Sequence, residues 1–180
     1  MVGCSGSGKT QLAGALAQRL GSPHIELDAI FHQPGWTELG DEEFRSRVRA
    51  ATEGDHWVVD GNYSVVQDIT WGRADTVVWF DLPLHTVMSR VIRRTVRRAI
   101  RRTELWNGNR EPWSNLWSVN PQRSIIAWSA TRHGLYRQRY AAAEGDPTWR
   151  GVRFVRLRST REVGRFLESV GDESPERGAA

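Results

Sequence analysis

Gly3-Cys4-Ser5-Gly6-Ser7-Gly8-Lys9-Thr10 carries the single lysine of a 180-residue chain whose other basic side chains are all arginine. The eight residues fit G-x-x-x-x-G-K-[ST], the P-loop pattern, and that pattern constrains both shape and chemistry. Glycines let the backbone curl so that successive N–H groups face inward. A helix opening near Gly8 adds the positive end of its dipole. Lys9 is a compact, flexible charge suited to following a phosphoryl group as it moves, a task a planar guanidinium does less well. The Thr10 hydroxyl suits Mg²⁺ held beside phosphates. The expected triphosphate cradle is therefore Gly3, Cys4, Ser5, Gly6, Ser7, Gly8, Lys9, Thr10 and the adjoining Gln11. Cys4 occupies a variable position of the pattern and is expected to be a small filler, not a nucleophile.

The length suits one domain over 1–170 with a real core and a small mobile insertion. No apolar run approaches the ~20 residues that span a bilayer, and the start is not signal-like. One cysteine excludes an internal disulfide and fits a reducing, cytoplasmic setting. A net charge of +4 and a pI near 10.0 favour anionic ligands. Only Met1 and Val2 precede the loop. Either the first strand is very short or the natural start lies upstream, and the second is the expectation.

Periodicity predicts a helix over 9–20 closed by Gly21, a strand over 24–27 ending at Asp28, and a turn-rich loop at Gln33-Pro34-Gly35-Trp36. A helix over 41–52, a buried strand over 57–60 and another over 76–80 follow. Apolar strands separated by helices indicate a parallel sheet with βαβ crossovers. A long helix over 84–104 alternates apolar and arginine pairs, which predicts one apolar and one basic side. Beyond it come a polar, aromatic loop over 106–120, a helix from Pro121 to about Ala143, a strand over 152–157 and a final helix opened by the capping signature Ser159-Thr160-Arg161-Glu162. The tail, 171–180, has almost nothing to bury and is expected to be disordered.

Ligands of such sheets collect beyond the carboxyl ends of the strands. Asp28, Asp60 and Asp81 each end a predicted strand. Asp60, followed by Gly61, is assigned to the Mg²⁺ shell through water, against a turn or cap role. Asp28 either binds or deprotonates an acceptor hydroxyl, or caps a loop. Asp81 is expected to cap the following helix. Arg90, Arg94, Arg97 and Arg101 form one stripe, and the first two are expected in the site, supplying charge to a moving phosphoryl group. Trp106, Trp113, Trp117 and Trp128 either stack on a base or bury ordinary surface under a flap. The five histidines show no metal spacing, so zinc is not expected.

The order of the P-loop, Asp28, Trp57-Val58-Val59-Asp60-Gly61-Asn62-Tyr63, Val77-Val78-Trp79-Phe80-Asp81-Leu82-Pro83 and an Arg-x-x-x-Arg pair resembles adenylate kinase and its relatives. It is most similar to the bacterial adenylate-kinase-related group labelled DNA topology modulation proteins. That resemblance implies a three-layer α/β/α P-loop fold with a five-stranded parallel sheet in order 2-3-1-4-5 and an arginine-rich helical lid over about 97–120. It implies Asp60 ordering Mg²⁺ water, Arg90 near the ATP adenine and Arg94 on the phosphates, with lid-side arginines among Arg123, Arg132 and Arg137. The Asp-Gly-Phe-Pro-Arg run of adenylate kinases is here Asp60-Gly61-Asn62-Tyr63-Ser64, so the arginine for an AMP phosphate is missing.

The expectation is an ATP- and Mg²⁺-dependent kinase acting on a small hydroxylated acceptor near Asp28 and Asn62, with Lys9, Arg90, Arg94 and Asp28 as catalytic residues. The alternative is a nucleotide-regulated, nucleic-acid-associated protein that uses the basic face from Arg93 to Arg102.

Overall fold

The computed structural model describes residues 1–101, 104–110 and 124–170. Expectations on Arg102, Trp113, Trp117, Pro121, Arg123, half of the lid and the tail lie outside those residues.

The first strand, β1 (Val2–Gly3), runs into the glycine loop and then α1 (Lys9–Leu20). Leu12, Ala13, Leu16 and Ala17 recur at helical spacing and are buried. The helix stops where Gly21 takes φ 61, letting Ser22 N reach Ala17 O at 2.9 Å. Next come β2 (His24–Glu26), α2 (Leu27–Phe31), and a small antiparallel hairpin of β3 (His32–Gln33) and β4 (Thr37–Glu38). α3 (Asp41–Ala51), β5 (Val58–Asp60), α4 (Gln67–Trp71) and β6 (Thr76–Phe80) follow. The long helix α5 (Leu84–Arg101), α6 (Ile125–Glu144), β7 (Arg153–Leu157) and α7 (Thr160–Ser169) complete the described chain.

Parallel strands pair as β2–β5 and as β1–β6–β7. The Met1 nitrogen donates to Val59 O at 2.7 Å, and Gly61 N donates to Met1 O at 3.2 Å, so β5 lies beside the start of β1. Along β6 successive buried side chains alternate between the two faces of the sheet. Val78 and Phe80 join the core under α1 and α5, while Val77 and Trp79 join Trp71 and Tyr140 on the other face. Strands this apolar on both faces need helices on both, which is the arrangement found.

Several expectations need correction. The strand at His24 ends at Glu26, so Asp28 sits on the short helix α2 instead of at a strand end. The described part of α5 reaches Arg101, and Glu104, expected on that helix, instead bridges to Arg110 in antiparallel fashion. Its apolar pairs divide: Val91, Thr95 and Ala99 are buried while Ile92, Val96 and Ile100 stay exposed, because pairs separated by 100° straddle the edge of the packed stripe. The described start of α6 is Ile125, capped by Ser124, which accepts from Ala127 N at 3.4 Å.

Asp81 does not cap α5. It is buried and holds Arg137 at 3.1 Å and Arg156 at 2.6 Å, a carboxylate tying α6 and β7 to the end of β6. Arg137, expected on the lid side, is committed to that pair.

Candidate functional site

The phosphate-binding loop is shaped by close packing as much as by glycine freedom. Gly6 has φ 83, and a Cβ there would lie 2.3 Å from Val91 Cγ2 on α5. Any side chain would push the loop off the helix that carries the site arginines. Gly3, at φ 137, is pressed against Phe80 in the same way. Asn62 fastens the loop from the opposite flank: Gly3 N donates to its Oδ1 at 3.0 Å and its Nδ2 donates to Gly3 O at 2.7 Å. Tyr140 adds a hydroxyl donor to the same Oδ1 at 2.9 Å. Asn62, expected near an acceptor, lines the cleft together with Asp28 and also clamps the loop. Gly61, at φ 149, leaves room for Leu27 where a Cβ would stand.

Arg90 and Arg94, one turn apart on α5, both reach the loop. Arg90 donates to Ser7 O at 3.0 Å and to Thr160 Oγ1 at 2.8 Å, and Arg94 donates to Ser5 Oγ at 2.7 Å. Thr160, at the start of α7, had no signal in the sequence beyond its capping motif. Lys9 Nζ lies 3.4 Å from Cys4 O, and desolvation holds its pKa below the ordinary lysine value, opposed by the carboxylates of Asp28 and Asp60. Cys4 is buried, donates to Ser129 O at 3.4 Å, and has its thiol pKa raised by burial, which suits a filler.

Thr10 Oγ1 donates to Asp60 Oδ2 at 2.5 Å. A hydroxyl and one carboxylate beside a phosphate loop fit Mg²⁺, which takes few protein oxygens and draws others from water and phosphate. Among the described residues no group of three or more His, Cys, Asp or Glu could hold a metal. His24 Nε2 stands 3.4 Å from Asp60 Oδ1, a pairing of neighbouring strands β2 and β5 that sequence spacing did not reveal.

Across from the loop a second wall rises from α2, the hairpin and 104–110. Tyr63 donates its hydroxyl to Asp28 Oδ1 at 2.6 Å. Burial first, then the Asp28 charge, pushes the Tyr63 pKa far above the ordinary phenol range, so it remains a donor. Trp106 Nε1 donates to Glu26 Oε2 at 2.8 Å, and its ring stacks on His32 with centroids 6.1 Å apart. Asn107 donates to His32 O at 2.6 Å and Ala29 O at 3.0 Å. Asn109 is buried, donates to Gln33 O at 2.9 Å and accepts from Trp36 N at 2.9 Å. Trp36 holds φ 59, a left-handed conformation uncommon for an aromatic residue, kept by that bond and by its indole N–H on Arg110 O.

Both walls line one open cleft of about 1630 Å³. Single small-molecule pockets run to about 1,000 Å³, so there is room for two reactants side by side. Lys9, Arg90, Arg93, Arg94, Arg97 and Arg98 line it on one side; Trp106 and Trp128 line it too. Arg101 and Arg132 do not appear among its lining residues.

The loop, the parallel strands and the helices on both faces define the class: an α/β protein built around a P-loop. No family model matches the chain. It is 31% identical over 105 residues to a shikimate kinase of Synechococcus sp., covering 51% of this chain and 53% of that protein. It is 30% identical over 105 residues to a shikimate kinase of Gloeobacter violaceus, covering 51% and 59%. The chain thus spans about half the length of the curated relatives it matches, and the likeness relates it to P-loop kinases.

Proposed function

We propose that this protein is an ATP-dependent phosphotransferase that passes the γ-phosphoryl group to a hydroxyl of a small acceptor. The observation that carries this reading is the convergence of Arg90 and Arg94 on the loop that holds Lys9, opposite Asp28 across one cleft. In this reading the loop amides and Lys9 grip the β and γ phosphates. Asp28, oriented by Tyr63, takes the acceptor's hydroxyl proton as the new O–P bond forms and the bridging bond to the β phosphate breaks, releasing ADP. Lys9, Arg90 and Arg94 balance the charge that develops on the transferring group. Thr10 and Asp60 would hold Mg²⁺, which neutralises phosphate charge when bound. The segment 104–110 keeps water from the transfer, as part of a lid extending over about 97–120.

We further read the five parallel strands as one sheet, β2-β5-β1-β6-β7 (the expected 2-3-1-4-5 when only these five are counted), supported by the Met1 and Gly61 hydrogen bonds where β5 runs beside the start of β1. The resemblance to the adenylate-kinase-related DNA topology modulation group belongs to the same proposal, as does a cytoplasmic setting. The nucleic-acid alternative gains no support: four arginines of the proposed basic face, Arg93, Arg94, Arg97 and Arg98, line the cleft.

Two measurements test the proposal. Calorimetry with MgATP on the full chain is expected to give saturable heat, and its absence from folded protein defeats the reading. A screen for ADP release over nucleosides, nucleotides, sugars and shikimate is expected to yield at least one acceptor-dependent rate.

A further inference from the structure

The cleft is electrically divided. Every lysine or arginine among its described lining residues belongs to the phosphate loop or to α5. The facing wall instead contributes Glu26, Asp28, Glu38 and Glu104, and the remaining described lining carboxylate, Asp60, is held by Thr10 beside the loop. Between these carboxylates stand the rings of Phe31, Trp36 and Trp106. Both indole N–H groups are already donated to protein oxygens, on Arg110 O and Glu26 Oε2, so what the two tryptophans can offer a ligand is ring surface. The Glu38 and Asp28 charges are close enough to raise the Tyr63 pKa together, so they act on a common space.

Resting on the kinase reading above, we propose that the acceptor is a hydroxylated molecule that also carries an ammonium or guanidinium group, and that it bears no carboxylate or phosphate. A cation placed there gains from the carboxylates and from the aromatic faces at once. An anionic group in the same place faces like charge on its own wall, and like-charge juxtaposition is strongly disfavoured at a desolvated contact. The triphosphate takes the basic wall, and the acceptor's cation takes the acidic one. The division also keeps a second triphosphate from entering the acceptor half.

The test uses three two-carbon alcohols of matched size on the full chain with its donor half filled by MgADP: ethanolamine, ethylene glycol and glycolate. Binding is followed by tryptophan fluorescence, since Trp36 and Trp106 line the site. Ethanolamine is expected to bind at least about tenfold more tightly than glycolate, with ethylene glycol between them. In Glu26→Gln and Glu38→Gln, singly and together, that ratio is expected to shrink toward one while MgADP affinity holds. The proposal is overturned by equal or tighter glycolate binding, by no response to any of the three, or by a preference left undiminished in the double variant. Absent MgADP heat in calorimetry would instead overturn the kinase reading, and this proposal with it. Normal MgADP heat with a reversed preference would overturn the acceptor class alone.

Discussion

The two walls of the cleft are built on different principles. The donor wall is made by backbone: glycines whose missing Cβ atoms let the loop lie against Val91 and Phe80, with arginines arriving from the same helix one turn apart. The acceptor wall is made by side chains that bridge distant segments, Trp106, Asn107 and Asn109 reaching back to 26–36. Contiguous backbone devices bind what all nucleotides share. Assembled side-chain walls can vary without disturbing such a loop, and this one carries carboxylates and indoles.

The strongest way to break that contrast is at Lys9. Lys9→Met is expected to lower phosphoryl transfer by at least about 10³-fold, read as ADP release with an acceptor from the screen. Its melting temperature is expected not to fall, because the ammonium is held in a desolvating place. The pH dependence has a definite sign. With the folded pKa below 10.5, the unfolded chain binds more protons between those two values, so wild-type stability gains a contribution as pH rises through that window. Lys9→Met should lose that slope in denaturant melts at alkaline pH, and a retained slope would remove Lys9 as its source.

Gly6→Ala should destabilise by about 3 kcal/mol, through its positive φ and the contact with Val91 and the Val87 carbonyl. It should also weaken MgATP binding, and a neutral result in both would mean the loop is not held by packing. Asp28→Asn sharpens the opposite wall: kcat is expected to drop about 10²-fold with MgATP affinity unchanged. Equal rates would take Asp28 out of the proton transfer. The mildest change is Asn109→Ala, expected to cost about 1–2 kcal/mol by unmaking bonds to Trp36 and Gln33. It should raise the acceptor KM and leave the MgATP Kd alone, whereas a shift in both would show the walls to be coupled.

Legibility followed the same division. The helix over 9–20 and the strand over 76–80 were readable to the residue, because each writes its own burial pattern and its own stop. The i, i+4 arginines and the P-loop could be read for the same reason: their geometry is local. Asp81 misled, because a strand-end aspartate before Leu82-Pro83 looks like a cap until Arg137 and Arg156 arrive from α6 and β7. The clamping role of Asn62 was hidden as well. Its two bonds to Gly3 cross 59 residues of chain, and no spacing rule connects them.

By itself the sequence determined that an anion-binding turn opens a helix, that apolar strands alternate with amphipathic helices, and that arginines line one long helical face. These follow from propensity, period and capping, which act within a few residues. Tertiary structure alone decided that Tyr63 donates to Asp28, that Trp106 reaches Glu26 while Asn109 reaches Trp36, and that carboxylates and arginines line one cleft. Such meetings depend on how βαβ units stack and where loops return, and the chain encodes them only through the packing of its whole core.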